Sequence, residues 1–504
     1  MFYMTTKRKA ALILLLEGLA SSGLQMITIR QTVPFVGSSV LCTSVIISCF
    51  LGALALGYYW GGQQASERYA KSLVMNLVGS IALFGIGLSY SFVSFFFLSI
   101  ADITHGTPYL GNPLIHLFLF SLLIMSPLVF FLGQTVPLLL NTADHDTRKS
   151  EATGNATALS TIGNVLGCLI TSLLLMYFLG VGYSIFINCL ILAVCLCFLV
   201  DWNNSKTKYV VGATLSFLVI AFTLNVKIPD RLFAATTPYS NFYVAEHPEG
   251  KRFIINRSSA SFIGEKDRKG WPYIEIMKQG IFADDMTGKD ILVLGAGGFT
   301  LSADDTHGAN FTYLDVDPKI KPIAEKYFLE EPIKGEFIAQ DARSYLLTSE
   351  KLWDVIVVDL YTNAATIPMH TATFEFFSLV SSRLKPSGKA VLNIAANPRL
   401  NDAYSVNMDF TVRQALSRCI TDITGYQNAL VNIVYFCSKR SSMDNDAVAS
   451  LYRDDTTNRG RLRLIPEHQE MAKPGRQSWA IAESQNGCPP AMLAGHPIAL
   501  ITWS

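Results

Sequence analysis

The stretch Asp290-Ile-Leu-Val-Leu-Gly295-Ala-Gly297-Gly298, with Phe311-Thr-Tyr-Leu-Asp315 after it, decides the fold. Ile291 to Leu294 form an apolar run of the kind a buried strand presents, and the run ends in glycine. The second run ends in an acid about twenty residues beyond that first glycine. The order reads strand, glycine turn, helix, strand, acid. Glycines let a backbone approach a ligand closely, and an acid at this distance accepts hydrogen bonds from ribose hydroxyls. Alone, the turn is a tight connection and Asp315 a solvated carboxylate. Together they favour a nucleoside site.

The pattern repeats downstream. Glu336-Phe-Ile-Ala339 reads as a third strand leading to Gln340-Asp341-Ala342, and Trp353-Asp-Val-Ile-Val-Val-Asp359 as a fourth. Lys389-Ala-Val-Leu-Asn-Ile394 reads as a fifth, after Lys385-Pro-Ser-Gly388. Three acids, Asp315, Asp341 and Asp359, then stand at the C-terminal ends of parallel strands, the edge where open α/β sheets bind ligands. Any one of them taken singly is equally a helix cap. Upstream, Phe242-Tyr-Val244 and Arg252-Phe-Ile-Ile255 read as short strands around a His247-Pro-Glu-Gly250 turn, and a helix begins at Tyr273.

Further outward the chain changes character. It has 504 residues, half of them apolar and 16% charged, with a mean hydropathy of +0.33. Residues 1–226 hold 17 of the charged side chains and residues 227–504 hold 62. A soluble protein carries about 25% charged residues, so the front part reads as a membrane domain. The net charge of +1 gives no argument for a nucleic-acid partner. Seven apolar stretches, 10–29, 39–60, 72–99, 114–140, 157–179, 181–200 and 208–226, are each long enough to span a bilayer. The first carries Glu17 and is followed by further spans, which excludes a signal peptide.

Lys and Arg in short loops set orientation. Lys7, Arg8 and Lys9 precede the first span; Arg68 and Lys71 follow the second, Arg148 and Lys149 the fourth, Lys206 and Lys208 the sixth. The alternate loops hold only Arg30. The N-terminus is therefore expected in the cytoplasm. Seven spans put the C-terminal half outside and six or eight put it inside, so its side stays open. Glu17, Ser21 and Gln25 share one helix face. A carboxylate at membrane depth is either a site or a hydrogen-bonded group holding helices together. Ala53, Gly57 and Gly61, and Gly163 with Gly167, have the spacing of close helix packing. Six cysteines lie in the spans, and only Cys419, Cys437 and Cys488 lie beyond them. Their spacing matches no zinc or CxxC site, and one disulfide is available if this half meets an oxidising compartment.

Gly295-Ala-Gly-Gly298, Leu314-Asp315-Val-Asp-Pro318, Gln340-Asp341-Ala342 and Trp353-Asp-Val-Ile-Val-Val-Asp359 resemble the spermidine synthase (polyamine aminopropyltransferase) family. Ile367-Pro-Met-His370, Thr373-Phe-Glu-Phe-Phe377 and Leu384-Lys-Pro-Ser-Gly388 are similar to its membrane-fused branch, as are Glu17-Gly18, Gly37-Ser-Ser39 and Leu54-Ala-Leu-Gly57. The resemblance covers most of residues 10–440. It implies a multi-pass α-helical membrane domain over 1–226 and a small β-region and linker over 227–280. A Rossmann-like domain of the S-adenosylmethionine methyltransferase type then covers 281–440, and an irregular extension 441–504. It implies transfer of an aminopropyl group from decarboxylated S-adenosylmethionine, a co-substrate and not a resident cofactor, to putrescine or a related amine. Asp359 would be the base, Asp315 the ribose ligand, and Asp341 with Ala342 the adenine contact. Gly295 and Gly297 would shape the nucleoside turn, and Tyr273 would line the acceptor channel. His370 is either a substrate ligand or a hydrogen-bonded structural histidine. No metal is expected, and a homodimer is among the expected assemblies.

Four positions depart from the soluble synthases. Gly298 stands where they carry an Asp, Ser240 where they carry Gln after the early tyrosine, and Ile274 where they carry His or Gln. Leu360-Tyr-Thr-Asn363 replaces their Ser-Ser/Thr-Asp-Pro. The nucleoside half is thus expected intact and the amine half altered. Two other readings stay open: a transferase using S-adenosylmethionine itself with another acceptor, and a membrane carrier or sensor with a non-catalytic nucleoside-binding domain.

Overall fold

The computed structural model describes residues 7–439, apart from 66–67, 106, 108, 143–148, 362–365 and 425–429. Arg148, the Thr362-Asn363 pair, Cys488 and the 441–504 extension lie outside the described residues. The chain divides into two compact units, Met1–Asn241 and Phe242–Ser504.

The first unit is helical. Among the described residues, seven of its helices are long and apolar enough to cross a membrane: α1 (Lys7–Val36), α2 (Val40–Gly62), α3 (Tyr69–Gly87), α5 (Pro113–Asn141), α6 (Ser150–Leu179), α7 (Val181–Leu199) and α8 (Thr207–Leu232). The expected stretch 72–99 is not one helix. It breaks at Leu88, and a separate 14-residue helix, α4 (Tyr90–Ile103), follows. Ser89 makes the break: its Oγ accepts from Phe92 N, capping α4, and donates to Ile86 O, closing α3. Glycines set the tightest packing. A Cβ on Gly163 would collide with Leu15 O and one on Gly167 with Leu19 O, so α1 and α6 touch backbone to backbone. Glu17 and Ser21 are buried inside this unit.

One end of the helical unit is tied together by hydrogen bonds. Near the close of α1, Arg30 Nε donates to Thr237 O (2.9 Å) and Arg30 Nη2 to Asn241 Oδ1 (2.8 Å). Gln31 Nε2 donates to Leu88 O (3.0 Å). At the one-residue turn between α6 and α7, Val181 N donates to Thr236 Oγ1. Gly180 takes φ +86° there, a conformation that side chains resist.

The second unit opens with an antiparallel meander, β1 (Asn241–His247), β2 (Gly250–Ile255) and β3 (Ser258–Gly264). Helix α9 (Pro272–Ile281) leads to a seven-stranded sheet. Its strands are β4 (Asp290–Leu294), β5 (Asn310–Asp315), β6 (Glu336–Ala339), β7 (Trp353–Val358), β8 (Leu384–Ala396), β9 (Ser417–Ile423) and β10 (Val431–Ser438). The order is β9-β10-β8-β7-β4-β5-β6. Strands β8, β7, β4, β5 and β6 run parallel, and the β9–β10 hairpin closes one edge antiparallel. Leu292, Leu294, Ile356, Val358 and Leu392 are buried within it, with Phe376 and Val380 of α11 (Phe374–Ser382) packed in the same core. Each such side chain contributes about 1.5–3 kcal/mol when fully buried.

The helix expected between the glycine turn and Asp315 is absent. Residues 295–309 run as turns, with Phe299 (φ +59°), His307 (φ +49°) and Gly308 (φ +75°) in left-handed conformations that interrupt any helix. Between β9 and β10, Cys419 and Cys437 form a disulfide across neighbouring strands, with Cα atoms 4.1 Å apart.

Candidate active site

Register sets the site. Leu294 pairs with Leu314 on one side and Val358 on the other, so Gly295, Asp315 and Asp359 emerge level at the C-terminal edge. Ala339 pairs with Asp315, placing Gln340 and Asp341 just past the same edge.

The glycine turn packs directly on Asp359. A Cβ on Gly295 would collide with Asp359 O, and Gly295 takes φ +92°. Only glycine satisfies both demands. Gly297 takes φ +50°, and Gly298 N donates to Ser261 Oγ (2.8 Å) from strand β3. Gly295, Gly297 and Phe299 of this loop hold left-handed backbone, which the glycines adopt freely and which strains only Phe299.

Asp315 closes the turn from the far side. Its Oδ2 accepts from Ala296 N (3.2 Å) and its Oδ1 from Asp317 N (2.9 Å). Burial pushes its carboxyl up to about 6, against the pull of those two N–H groups. Asp341 caps α10 (Ala342–Thr348), its Oδ1 accepting from Ser344 N (2.9 Å). Its Oδ2 meets His370 Nε2 at 3.0 Å. Burial alone would raise the Asp341 carboxyl, but the Ser344 N–H and His370 outweigh it and hold it below the usual range. Ala342 is buried beside it. His370 is thus placed on Asp341, with its carbonyl accepting from Arg343 Nη1 (2.8 Å). The structure does not group it with Tyr273.

Asp359 is the centre of a small network. Tyr273 OH, from α9, donates to Oδ2 (3.1 Å), and Asn393 Nδ2, from β8, donates to Oδ1 (2.9 Å). Burial raises the Asp359 carboxyl, opposed by the hydrogen bonds from Asn393 and Tyr273. Burial and the neighbouring Asp359 charge hold the Tyr273 hydroxyl well above its ordinary value, so it stays a donor. Behind them, Tyr361 OH donates to Asn393 O (3.1 Å) and accepts from Ala395 N (2.6 Å). Asn393 Oδ1 is buried and has no hydrogen-bond partner.

Asn393, Tyr361 and Ser261 are the residues the sequence reading missed. The one signal for Asn393 was its place in an otherwise apolar run, Ala390-Val-Leu-Asn393-Ile. A buried amide in such a strand needs a partner, and the partner is the Asp359 carboxylate. Tyr361 stands in one of the segments that depart from the soluble synthases, and its hydroxyl is tied to the β8 backbone at Asn393 and Ala395. Among the described residues, no group of three or more His, Cys, Asp or Glu is arranged to hold a metal ion.

Comparison with known proteins adds the following. No family model matches the chain. A probable polyamine aminopropyl transferase of Bifidobacterium longum is 29% identical over 167 residues, 33% of this chain and 35% of that protein. An N-terminal histidine N-methyltransferase of Emericella nidulans is 29% identical over 194 residues, 36% of this chain and 34% of that protein. The chain therefore spans about a third of the length of each of these relatives. A probable spermidine synthase of Corynebacterium glutamicum, of solved structure, is 20% identical and aligns over 44% of this chain and 85% of its own, with a TM-score of 0.35.

A seven-stranded sheet closed by an antiparallel hairpin, with a glycine turn and acids on the C-terminal edge of its parallel strands, is a Rossmann-like α/β fold. Over about a third of its length, the chain is similar to a protein described as a probable polyamine aminopropyl transferase.

Proposed function

We propose that this chain is a membrane-anchored aminopropyltransferase. It moves an aminopropyl group from decarboxylated S-adenosylmethionine to putrescine or a related amine, and the products are spermidine and methylthioadenosine. The observation that carries the reading is Asp359. Its carboxylate is held by two neutral donors, Tyr273 and Asn393, and among the described residues no cation contributes to its charge balance. A buried carboxylate in that state favours a cationic ligand. A primary amine with a pKa near 10.4 is mostly ammonium at pH 7 and has no lone pair for attack. Asp359 binds that ammonium and takes its proton. The freed nitrogen attacks the carbon bonded to sulfur, and the carbon–sulfur electron pair leaves with sulfur as a neutral thioether. The leaving group needs no proton, so the remaining work is alignment. In this reading Asp315 holds the ribose hydroxyls, Gly295 and Gly297 make room for the nucleoside, and Asp341 with Ala342 borders the adenine. His370 fixes Asp341 there. The seven long apolar helices span a bilayer, with the N-terminus in the cytoplasm.

The test is methylthioadenosine release by purified protein given decarboxylated donor and putrescine. Asp359→Asn should lower the rate by about 10² or more. No turnover across a panel of amines would sink the proposal.

One observation favours a second reading, transfer from S-adenosylmethionine itself. The position where the resemblance expects a loop Asp is Gly298, and a side chain there would collide with Phe328 and approach Ser261 Cβ to 2.8 Å. The loop carboxylate that would repel an intact donor is therefore missing. Calorimetry decides: tighter binding of S-adenosylhomocysteine than of methylthioadenosine supports the second reading, and the reverse order excludes it.

A further inference from the structure

We infer that the α/β unit stands on the side of the membrane opposite the cytoplasm, where Cys419 and Cys437 are held as a cystine. This rests on the membrane-spanning reading proposed above. Two independent observations support it.

The first is parity. A chain that enters a helical bundle at one end leaves at the other only after an odd number of crossings. The hydrogen bonds of Arg30, Gln31 and Val181 bring the end of α1, the end of α3, the α6–α7 turn and residues 236–241 to one end. Helix α4 does not add a crossing. It starts at that end beside Leu88, and its last turn is tied back to the start of α5, where His116 Nε2 lies 3.0 Å from Thr104 Oγ1 and 2.8 Å from Leu110 O. Its 14 residues give about 21 Å, short of the roughly 30 Å hydrocarbon core. The chain therefore leaves the helical unit at the end opposite Lys7.

Charge then says which end is which. Lys7, Arg8, Lys9, Arg68, Lys71 and the Lys206/Lys208 pair lie on the connections of the Lys7 end. The other end has Arg30, Lys227 and Arg231, and Arg30 is buried and spent on internal hydrogen bonds. Basic loops stay in the cytoplasm, so the chain beyond Asn241 emerges outside.

The second observation is the cystine itself. Cys419 and Cys437 are 4% and 2% exposed and bonded across adjacent strands. Among the described residues, the six free cysteines all lie in the helical unit. Cytoplasmic thiol buffers keep such pairs reduced, whereas oxidising compartments preserve them. Formation passes two electrons and two protons from the thiols to a disulfide of that compartment, which becomes a dithiol. It follows that nucleoside donor and acceptor meet Asp359 outside the cytoplasm. A transfer of the charged sulfonium nucleoside across the membrane must precede the reaction.

The experiment uses the full chain in intact bacterial cells, fused at Ser504 either to alkaline phosphatase, active only outside, or to green fluorescent protein, fluorescent only inside. Acid-trapped, alkylated protein is then mapped for the Cys419–Cys437 linked peptide. The expected result is active phosphatase, dark fluorescent protein and a linked peptide. Bright fluorescent protein with silent phosphatase would overturn the sidedness, and alkylated Cys419 and Cys437 would overturn the cystine. A chain released from membranes by alkaline carbonate would instead defeat the spanning reading, and this inference with it.

Discussion

At the residue scale, the informative group is Asp359 with its two neutral donors. Hydrogen bonds from Tyr273 and Asn393 favour the charged form of Asp359, while burial opposes it. The net shift is upward, so the proton leaves later than from an ordinary carboxyl. In the proposed reaction Asp359 acts only when deprotonated, so the turnover rate should rise with pH through a limb displaced above the ordinary 3.8. Asn393→Ala removes one donor worth about 0.5–1.5 kcal/mol, and so should move that limb upward by as much as about one pH unit. A pH–rate profile of both proteins checks this, and an unmoved limb excludes Asn393 as a support of the base. Asp315 has its own pH dependence. Its folded-state value of about 6 lies above the ordinary 3.8, so ionisation destabilises the fold as pH rises through that window. Asp315→Asn should therefore raise the melting temperature at pH 7.5, leave it nearly unchanged at pH 3.5, and abolish nucleoside binding at both. The three acids were legible from the sequence because each ends a run of strand residues. Asn393 was not, because which way a strand residue points depends on pairing with strands far along the chain.

At the element scale, the strands of the parallel sheet were readable from their apolar runs, and three connections were not. Apolarity is continuous through Leu88, so composition merges α3 and α4; only Ser89 marks the break, and serines are common in apolar helices. The missing helix after the glycine turn follows from left-handed backbone at Phe299 and His307, which those residue types do not announce. The β9–β10 hairpin escaped because its strands mix polar residues with apolar ones. Helix packing gives a direct test. A side chain at 167 meets the α1 backbone at Leu19, and overpacking of this sort costs about 1–3 kcal/mol. Gly167→Leu should lower the melting temperature of the helical unit in detergent. Gly154→Leu, which meets nothing within 4 Å, should not.

At the scale of the whole molecule, the division at Asn241 and Phe242 gives each unit its own core. Domains with separate cores need not unfold together. Calorimetry in detergent should therefore show two transitions. Methylthioadenosine at about 100 times its dissociation constant adds about 2.7 kcal/mol to the unit that binds it. It should raise one transition and leave the other in place. A single transition, or a shift of both, would refute this independence. Composition already announced two kinds of chain, because charge is sparse before residue 226 and ordinary after it. It placed the change earlier than the fold does, because Lys227 and Arg231 still belong to the last long helix.

The contact between Gly295 and the Asp359 carbonyl also bears on motion. The Gly295 amide bonds to Leu314 and the Asp359 amide to Leu294, each at 2.9 Å. The glycine turn and Asp359 are thus fastened to neighbouring strands with no side chain between them to absorb a displacement. A nucleoside that quiets the turn must quiet the base as well, before any acceptor arrives. Amide hydrogen exchange at 295 and 359 should accordingly slow in step as nucleoside is added, and the acceptor alone should slow neither.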